Sequence, residues 1–194
     1  MKNNEYRQTI NFNPIRFKTL IKYLKPKKGE KILDIGCSRG FYVREMEKYT
    51  KEIRGVDIDR ISLKKSVTKK VEYSDAASLN FKENTFDKVY SLHTIEHTPD
   101  LTKFFKEIEK VLKPGGKVVI AYPYEPILGI QAIGAAIEMY GNPFMARKIH
   151  LHKVNPKKIK EIIKNMSFSH IESKLTFNLL ILFYEYFTVL RKNK

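Results

Sequence analysis

Apolar positions recur along the chain in two alternating periods. Ile15, Phe17, Leu20, Ile21 and Leu24 fall at helical spacing, and Pro26, Lys27, Lys28 and Gly29 break that run. Ile32, Leu33 and Ile35 then form a short strand entering a turn with Gly36 and Gly40, after which Val43, Met46 and Glu47 predict a helix over 42–49. Further strands are predicted over 53–58, 71–73, 86–92 and 117–122, and a lysine-rich helix over 59–70. Glu107, Ile108, Val111 and Leu112 give one more helix face, which Lys113-Pro114-Gly115-Gly116 stops as a turn. Strands alternating with helices argue for an α/β fold: an open, mostly parallel sheet covered on both faces. The helix over 15–24 is expected to cover a sheet edge.

The strand, glycine turn and helix over residues 31–49 read as a nucleotide-type cofactor site. Glycine tolerates positive φ and has no Cβ, so a ligand can approach the backbone, and the following helix start offers N–H groups. Asp57 ends the next strand 17 positions after Gly40 (57 − 40). That spacing suits one helix and a parallel strand, bringing its carboxylate beside the turn, where it can accept from both hydroxyls of a ribose. A helix N-cap is the competing role, and Asp59 can take it. Asp75 ends a third strand, and with Ala76 it suits an adenine edge; a turn-forming Asp is the alternative.

In order and spacing, these elements resemble the class I S-adenosylmethionine-dependent methyltransferases of the small-molecule type. The motifs are Leu33-Asp34-Ile35-Gly36-Cys37-Ser38-Arg39-Gly40, Val56-Asp57, Ser74-Asp75-Ala76, Phe86-Asp87-Lys88-Val89 running into His93 to His97, and Val111-Leu112-Lys113-Pro114-Gly115-Gly116. The family usually has Gly where Ser38 stands. The resemblance covers residues 31–122 and implies a Rossmann-like, seven-stranded sheet in a single domain over 1–194, its last strands drawn from 168–190. It also implies a helical cap over 1–28 and an apolar substrate lid over 126–150, after the fifth strand. The cofactor implied is S-adenosyl-L-methionine, with Asp34, Gly36 and Gly40 at the amino-acid end, Asp57 at the ribose, Asp75 and Ala76 at the adenine, His93 near the methyl-bearing edge, and Cys37 and Ile58 also among the binding residues. A dinucleotide fits less well, because Asp34 would repel a pyrophosphate but suits an ammonium.

Methyl transfer mostly requires positioning. A general base is optional, and His93 and His97 are the catalytic candidates, with His150 and His152 as structural or substrate-shaping residues; no metal ligand set is read. The net charge of +16, from 37 Lys and Arg against 21 Asp and Glu, makes RNA or an anionic membrane surface conceivable partners, but the lysines are scattered. Cys37, the only cysteine, excludes an intramolecular disulfide and reads as a small turn residue rather than a nucleophile. With no apolar leader, a cytoplasmic protein is expected. Two apolar runs, 126–146 and 178–190, fall short of a membrane span. They suggest a lid over a small or lipid-like acceptor, with peripheral contact to an anionic bilayer, although part of the second run is expected in the core. The expected function is S-adenosylmethionine-dependent methylation of a small acceptor. The alternatives are an RNA or protein methyltransferase and a catalytically silent cofactor-binding protein.

Overall fold

The computed structural model describes residues 12–178 and 183–194; the first eleven residues of the expected helical cap and the apolar residues 179–182 lie outside them. Helix α1 (Pro14–Leu24) starts on an Asn13 cap with Pro at its first position. It is followed by β1 (Ile32–Ile35), α2 (Phe41–Met46), β2 (Ile53–Asp57), α3 (Arg60–Lys64), β3 (Val71–Tyr73) and β4 (Phe86–Leu92). Next come α4 (Leu101–Val111), β5 (Leu112–Pro123), α5 (Ile133–Tyr140), the single turn α6 (Ala146–Ile149), α7 (Pro156–Ile163), β6 (Phe168–Asn178) and β7 (Phe183–Lys192). The seven strands form one sheet in the order β3-β2-β1-β4-β5-β7-β6. The first five are parallel, and β7 runs antiparallel between β5 and β6.

Successive strand residues face opposite sides of the sheet, and the two cores follow that period. Ile32, Tyr90, Val119, Ala121, Phe187 and Val189 pack with Phe17, Leu20 and Leu24 of α1 and Val43 and Met46 of α2. Leu33, Val89, Val118, Ile120, Tyr122 and Leu190 pack on the other side with Phe104, Phe105 and Ile108 of α4 and Ile159 and Ile163 of α7. Helix α1 therefore lies on a face of the sheet, not along an edge. Its buried stripe takes Arg16 and Tyr23, while Ile15 is exposed.

Three element boundaries differ from the expectation. Helix α2 ends at Met46 because Lys48 and Tyr49 make tight three-residue hydrogen bonds to Glu45 and Met46. Helix α3 ends at Lys64: the Val67 N–H donates to the Arg39 carbonyl at 2.9 Å, pulling the lysine-rich segment back to the glycine turn. Residues 113–116 are not a free turn. Leu112 already pairs with Phe86, and the strand register shifts between Phe86 and Lys88, so the segment is an irregularity inside β5.

The second apolar run is likewise no lid over its described part. Phe187, Val189 and Leu190 are buried strand residues, because β7 needs apolar side chains on both faces. The first run packs a small core of its own, with Ala132, Ala136, Ala146 and Ile149 buried against one another. Among the described residues no helix is long and apolar enough to cross a membrane.

Candidate functional site

The parallel strands end together, and beyond them, where the strand order changes direction between β1 and β4, lies a cavity of about 380 Å³. Asp34, Gly36, Cys37, Ser38, Asp57, Ile58, Asp75, Ala76, His93 and His97 line it; Gly40 does not. Gly36 has φ +81°, and a Cβ there would sit 2.0 Å from Oγ1 of Thr94, so both its conformation and its packing require glycine. Ser38 also adopts a left-handed conformation (φ +48°), at the position where the resembled motif has glycine. That conformation aims the Ser38 N–H at Oδ2 of Asp57, 2.6 Å away.

Asp57 is held at its other oxygen by the Asp59 N–H at 2.8 Å, while Asp59 itself caps α3 through the Ile61 N–H. Each carboxylate oxygen of Asp57 keeps a further lone pair for a ligand hydroxyl. Burial raises its pKa, an effect that the backbone N–H groups of Asp59, Ser38 and Ile58 partly offset. Asp34 is buried under the turn, and its carboxyl is pushed well above the usual range by burial, with Tyr90 opposing and Asp57 reinforcing the shift. None of these neighbours is a cation, so the ionised form of Asp34 gains most from a positively charged ligand group. Ile58 is 59% exposed beside Asp57 and offers an apolar face, and Asp75 accepts from the Ala77 N–H in a turn that reaches the cavity. Burial pushes the Cys37 thiol far above its ordinary value, consistent with a packing role.

At the other end of the cavity is a chain of buried charges. Arg16 Nε meets Glu185 Oε2 at 2.8 Å, and the same oxygen lies 2.7 Å from His93 Nε2. His93 Nδ1 is 3.3 Å from Glu96 Oε1. Burial and Arg16 lower the His93 pKa, but the two carboxylates outweigh them and the net shift is upward. The Glu96 carboxyl is drawn down to about 2: burial opposes this, but the neighbouring His93, His97 and His150 prevail. With Nε2 bonded to one carboxylate and Nδ1 facing another, the protonated form of His93 is favoured, which makes it a poor candidate for a base. Its backbone is also left-handed (φ +54°), which turns the chain from β4 towards the cavity.

His97 Nδ1 donates to the Ile149 carbonyl at 2.8 Å, and His150 Nδ1 donates to Glu125 Oε1 at 2.8 Å. His152 Nε2 lies 3.2 Å from the carbonyl of Pro99, which lines the cavity, but His152 itself does not line it. Arg16, Glu185 and Glu125 go unnoticed in the sequence. Glu125 and Glu185 are isolated charges within apolar stretches, and Arg16 falls between Ile15 and Phe17; that is the signal available for finding them.

Residues 33–120 match the family model described as a methyltransferase domain. Phosphoethanolamine N-methyltransferase 1 of Zea mays is 32% identical over 166 residues, covering 79% of this chain and 31% of that protein. Sterol 24-C-methyltransferase ERG6 of Saccharomyces cerevisiae is 35% identical over 105 residues, or 48% of this chain and 27% of that one. The chain thus spans less than a third of the length of these curated relatives. Among solved structures, YcgJ of Bacillus subtilis superposes with a TM-score of 0.74 at 15% identity, covering 94% of this chain and all of the other. Phosphoethanolamine N-methyltransferase 2 of Haemonchus contortus, solved with S-adenosyl-L-methionine, gives 0.72 at 22% identity, covering 93% of this chain and 53% of the other. With its strand order, its glycine turn and the matched domain, the chain belongs to the class I S-adenosylmethionine-dependent methyltransferase family.

Proposed function

We propose that the protein binds S-adenosyl-L-methionine and transfers its methyl group to a small acceptor. The observation that carries this reading is the pairing of a backbone-held carboxylate, Asp57, with a buried carboxyl, Asp34, that has no cation beside it among the described residues. A ribose diol and an ammonium are the groups those two sites would hold. Bound there, the cofactor supplies an electrophilic methyl on a sulfonium, with a neutral thioether as leaving group. Asp75 and Ala76 would take the adenine edge and Ile58 its face. His93, held between Glu185 and Glu96, lines the same cavity near the methyl-bearing edge. His97 carries its proton on Nδ1, so its Nε2 is the nitrogen with a lone pair, and it lines the same cavity. While that lone pair is unligated, it is the side chain suited to receive a proton from an amine or hydroxyl acceptor.

Met139, Tyr140, Lys148 and Ile149 of the segment after β5 line the acceptor side. Apolar residues there mixed with Lys148 suit an acceptor with an apolar or anionic part. Relatives are named for acting on phosphoethanolamine and on sterols, one acceptor of each kind. The same segment exposes Ile127, Ile137 and Phe144, the last to 87%, next to Arg147 and Lys148. That combination supports contact between the lid and an anionic lipid surface, which would keep a cytoplasmic enzyme close to a lipophilic acceptor.

Calorimetry with S-adenosylhomocysteine tests the reading. Saturable binding at one site is expected, abolished by Asp57→Ala in a folded protein. A second assay follows S-adenosylhomocysteine release with phosphoethanolamine, a sterol or RNA as acceptor. Unchanged binding in Asp57→Ala overturns the cofactor assignment, and turnover only with RNA overturns the acceptor class.

A further inference from the structure

We propose that Glu96, His97 and His150 form a binding site for a first-row divalent transition-metal ion, typified by zinc, on the acceptor side of the cavity. One ligating atom from each of the three lies within 4.8 Å of the others. Coordination at the usual ~2.1 Å bonds would draw them together by about 1 Å. Two imidazoles and one carboxylate form a donor set that favours zinc, cobalt or ferrous iron over magnesium or calcium.

The surroundings are those that a metal-binding histidine needs. The partners of the two Nδ1 atoms, the Ile149 carbonyl and the Glu125 carboxylate, can only accept. Each Nδ1 therefore carries the proton, and each Nε2 has the lone pair. A ligating histidine typically donates its second N–H in this way to a carboxylate or a backbone carbonyl. The two rings meet edge to face, with centroids 5.0 Å apart and planes at 72°.

Glu96 provides the independent observation. It is 1% exposed, and neither of its carboxylate oxygens takes a hydrogen bond from a described residue. The His93 ring, 3.3 Å away, compensates part of its charge. A buried carboxylate with unused acceptors is costly, and an ion would use them.

The site is also rigid. Glu96 and His97 are neighbours on a short 3-10 turn (Ile95–His97), and the Glu96 carbonyl accepts from the Leu151 and His152 N–H groups at 2.8 and 3.3 Å. That strap fixes His150 against the turn. His97 and Ile149 line the cavity, so an ion there would have coordination positions open towards an acceptor's oxygen or nitrogen. Only this last consequence rests on the methyl-transfer reading; the metal site does not.

The test uses untagged, chelator-treated full chain titrated with Co2+. One equivalent is expected to bind, giving visible d–d absorption and two exchangeable, paramagnetically shifted imidazole N–H resonances, one from each Nδ1–H. Glu125→Gln is expected to weaken Co2+ binding by about 10- to 100-fold, and His150→Ala to abolish it. Absence of the absorption or of the two shifted resonances in the wild-type protein overturns the proposal, whether or not a variant folds. Undiminished binding in folded His150→Ala does so too. S-adenosylhomocysteine binding is measured on the same samples. If it persists without a Co2+ signal, the metal site fails and the cofactor reading stands; a Co2+ signal without it gives the reverse.

Discussion

Replacing Glu185 by leucine removes the carboxylate shared by Arg16 and His93, and its cost can be worked from the geometry. With charge centres about 4 Å apart and an effective dielectric near 20, the Arg16–Glu185 attraction is about 4 kcal/mol. Desolvating two ions costs several kcal/mol each and offsets most of that gain, so the intact pair is close to neutral against an apolar replacement. Removing one partner is different. Arg16 is 7% exposed, and without Glu185 it would be a buried guanidinium that has lost its carboxylate. We expect Glu185→Leu and Arg16→Met each to cost about 3–5 kcal/mol, and the double variant to recover at least 2 kcal/mol of their sum. Urea unfolding followed by circular dichroism, with equal slopes for all four proteins, measures this. Single costs below about 1 kcal/mol, or a strictly additive double variant, would refute the argument and put the pair among water-screened surface bridges.

Other outcomes follow from the cofactor end. Gly36→Ala combines a left-handed backbone with a clash against Thr94 and should cost about 2–5 kcal/mol, read as a fall in Tm; a Tm within 2 °C or so of the wild type contradicts the packing. Asp57→Asn weakens hydrogen bonds to a ribose diol and should reduce S-adenosylhomocysteine affinity about 100-fold or more by calorimetry, with little change in fold. The folded pKa of Asp34 lies above its ordinary 3.8, so its contribution to stability is complete below about pH 3.8 and is lost as pH rises through the folded value. Asp34→Asn should therefore raise the Tm of the unliganded protein at pH 7 while weakening cofactor binding; a lower Tm would reverse the assigned sign. Phe144→Asp should reduce sedimentation with anionic vesicles and leave binding to neutral ones unchanged, and equal sedimentation of mutant and wild type would remove the lid from the membrane contact.

The cofactor half of the molecule was legible because its signals are local. A strand, a glycine turn and an acid at the next strand end are separated by one helix, and short-range spacing carries that information. The pairing of Asp59 with the α3 N-terminus, which leaves Asp57 for a ligand, was readable for the same reason. The charged cluster was not legible, because Arg16, His93 and Glu185 come from α1, the end of β4 and β7, and only the sheet order brings them together. Helical periodicity counted Ile15 as buried and ignored Arg16, since a periodicity test has no place for a charged residue on an apolar face. The run ending in Leu190 looked like a lid because a strand buried on both faces has the same composition as an exposed apolar segment. His97 and His150 are 53 positions apart (150 − 97), and their closeness depends on the strap between Glu96 and residues 151–152.

The antiparallel insertion of β7 has a consequence for synthesis. β5 is complete at Pro123, but the strand that pairs with its free edge is complete only at Lys192, 69 residues later (192 − 123). At about 5–20 residues per second, that edge waits roughly 3–14 s for its partner. During that interval Val118, Val119, Ile120, Ala121 and Tyr122 present an apolar, uncharged β-segment of the kind that templates aggregation. The lysines scattered through the chain then take on a meaning apart from any ligand. Residues 1–123 already carry a net charge of +10 (26 − 16), which makes two half-made copies repel each other while their β5 edges stand open.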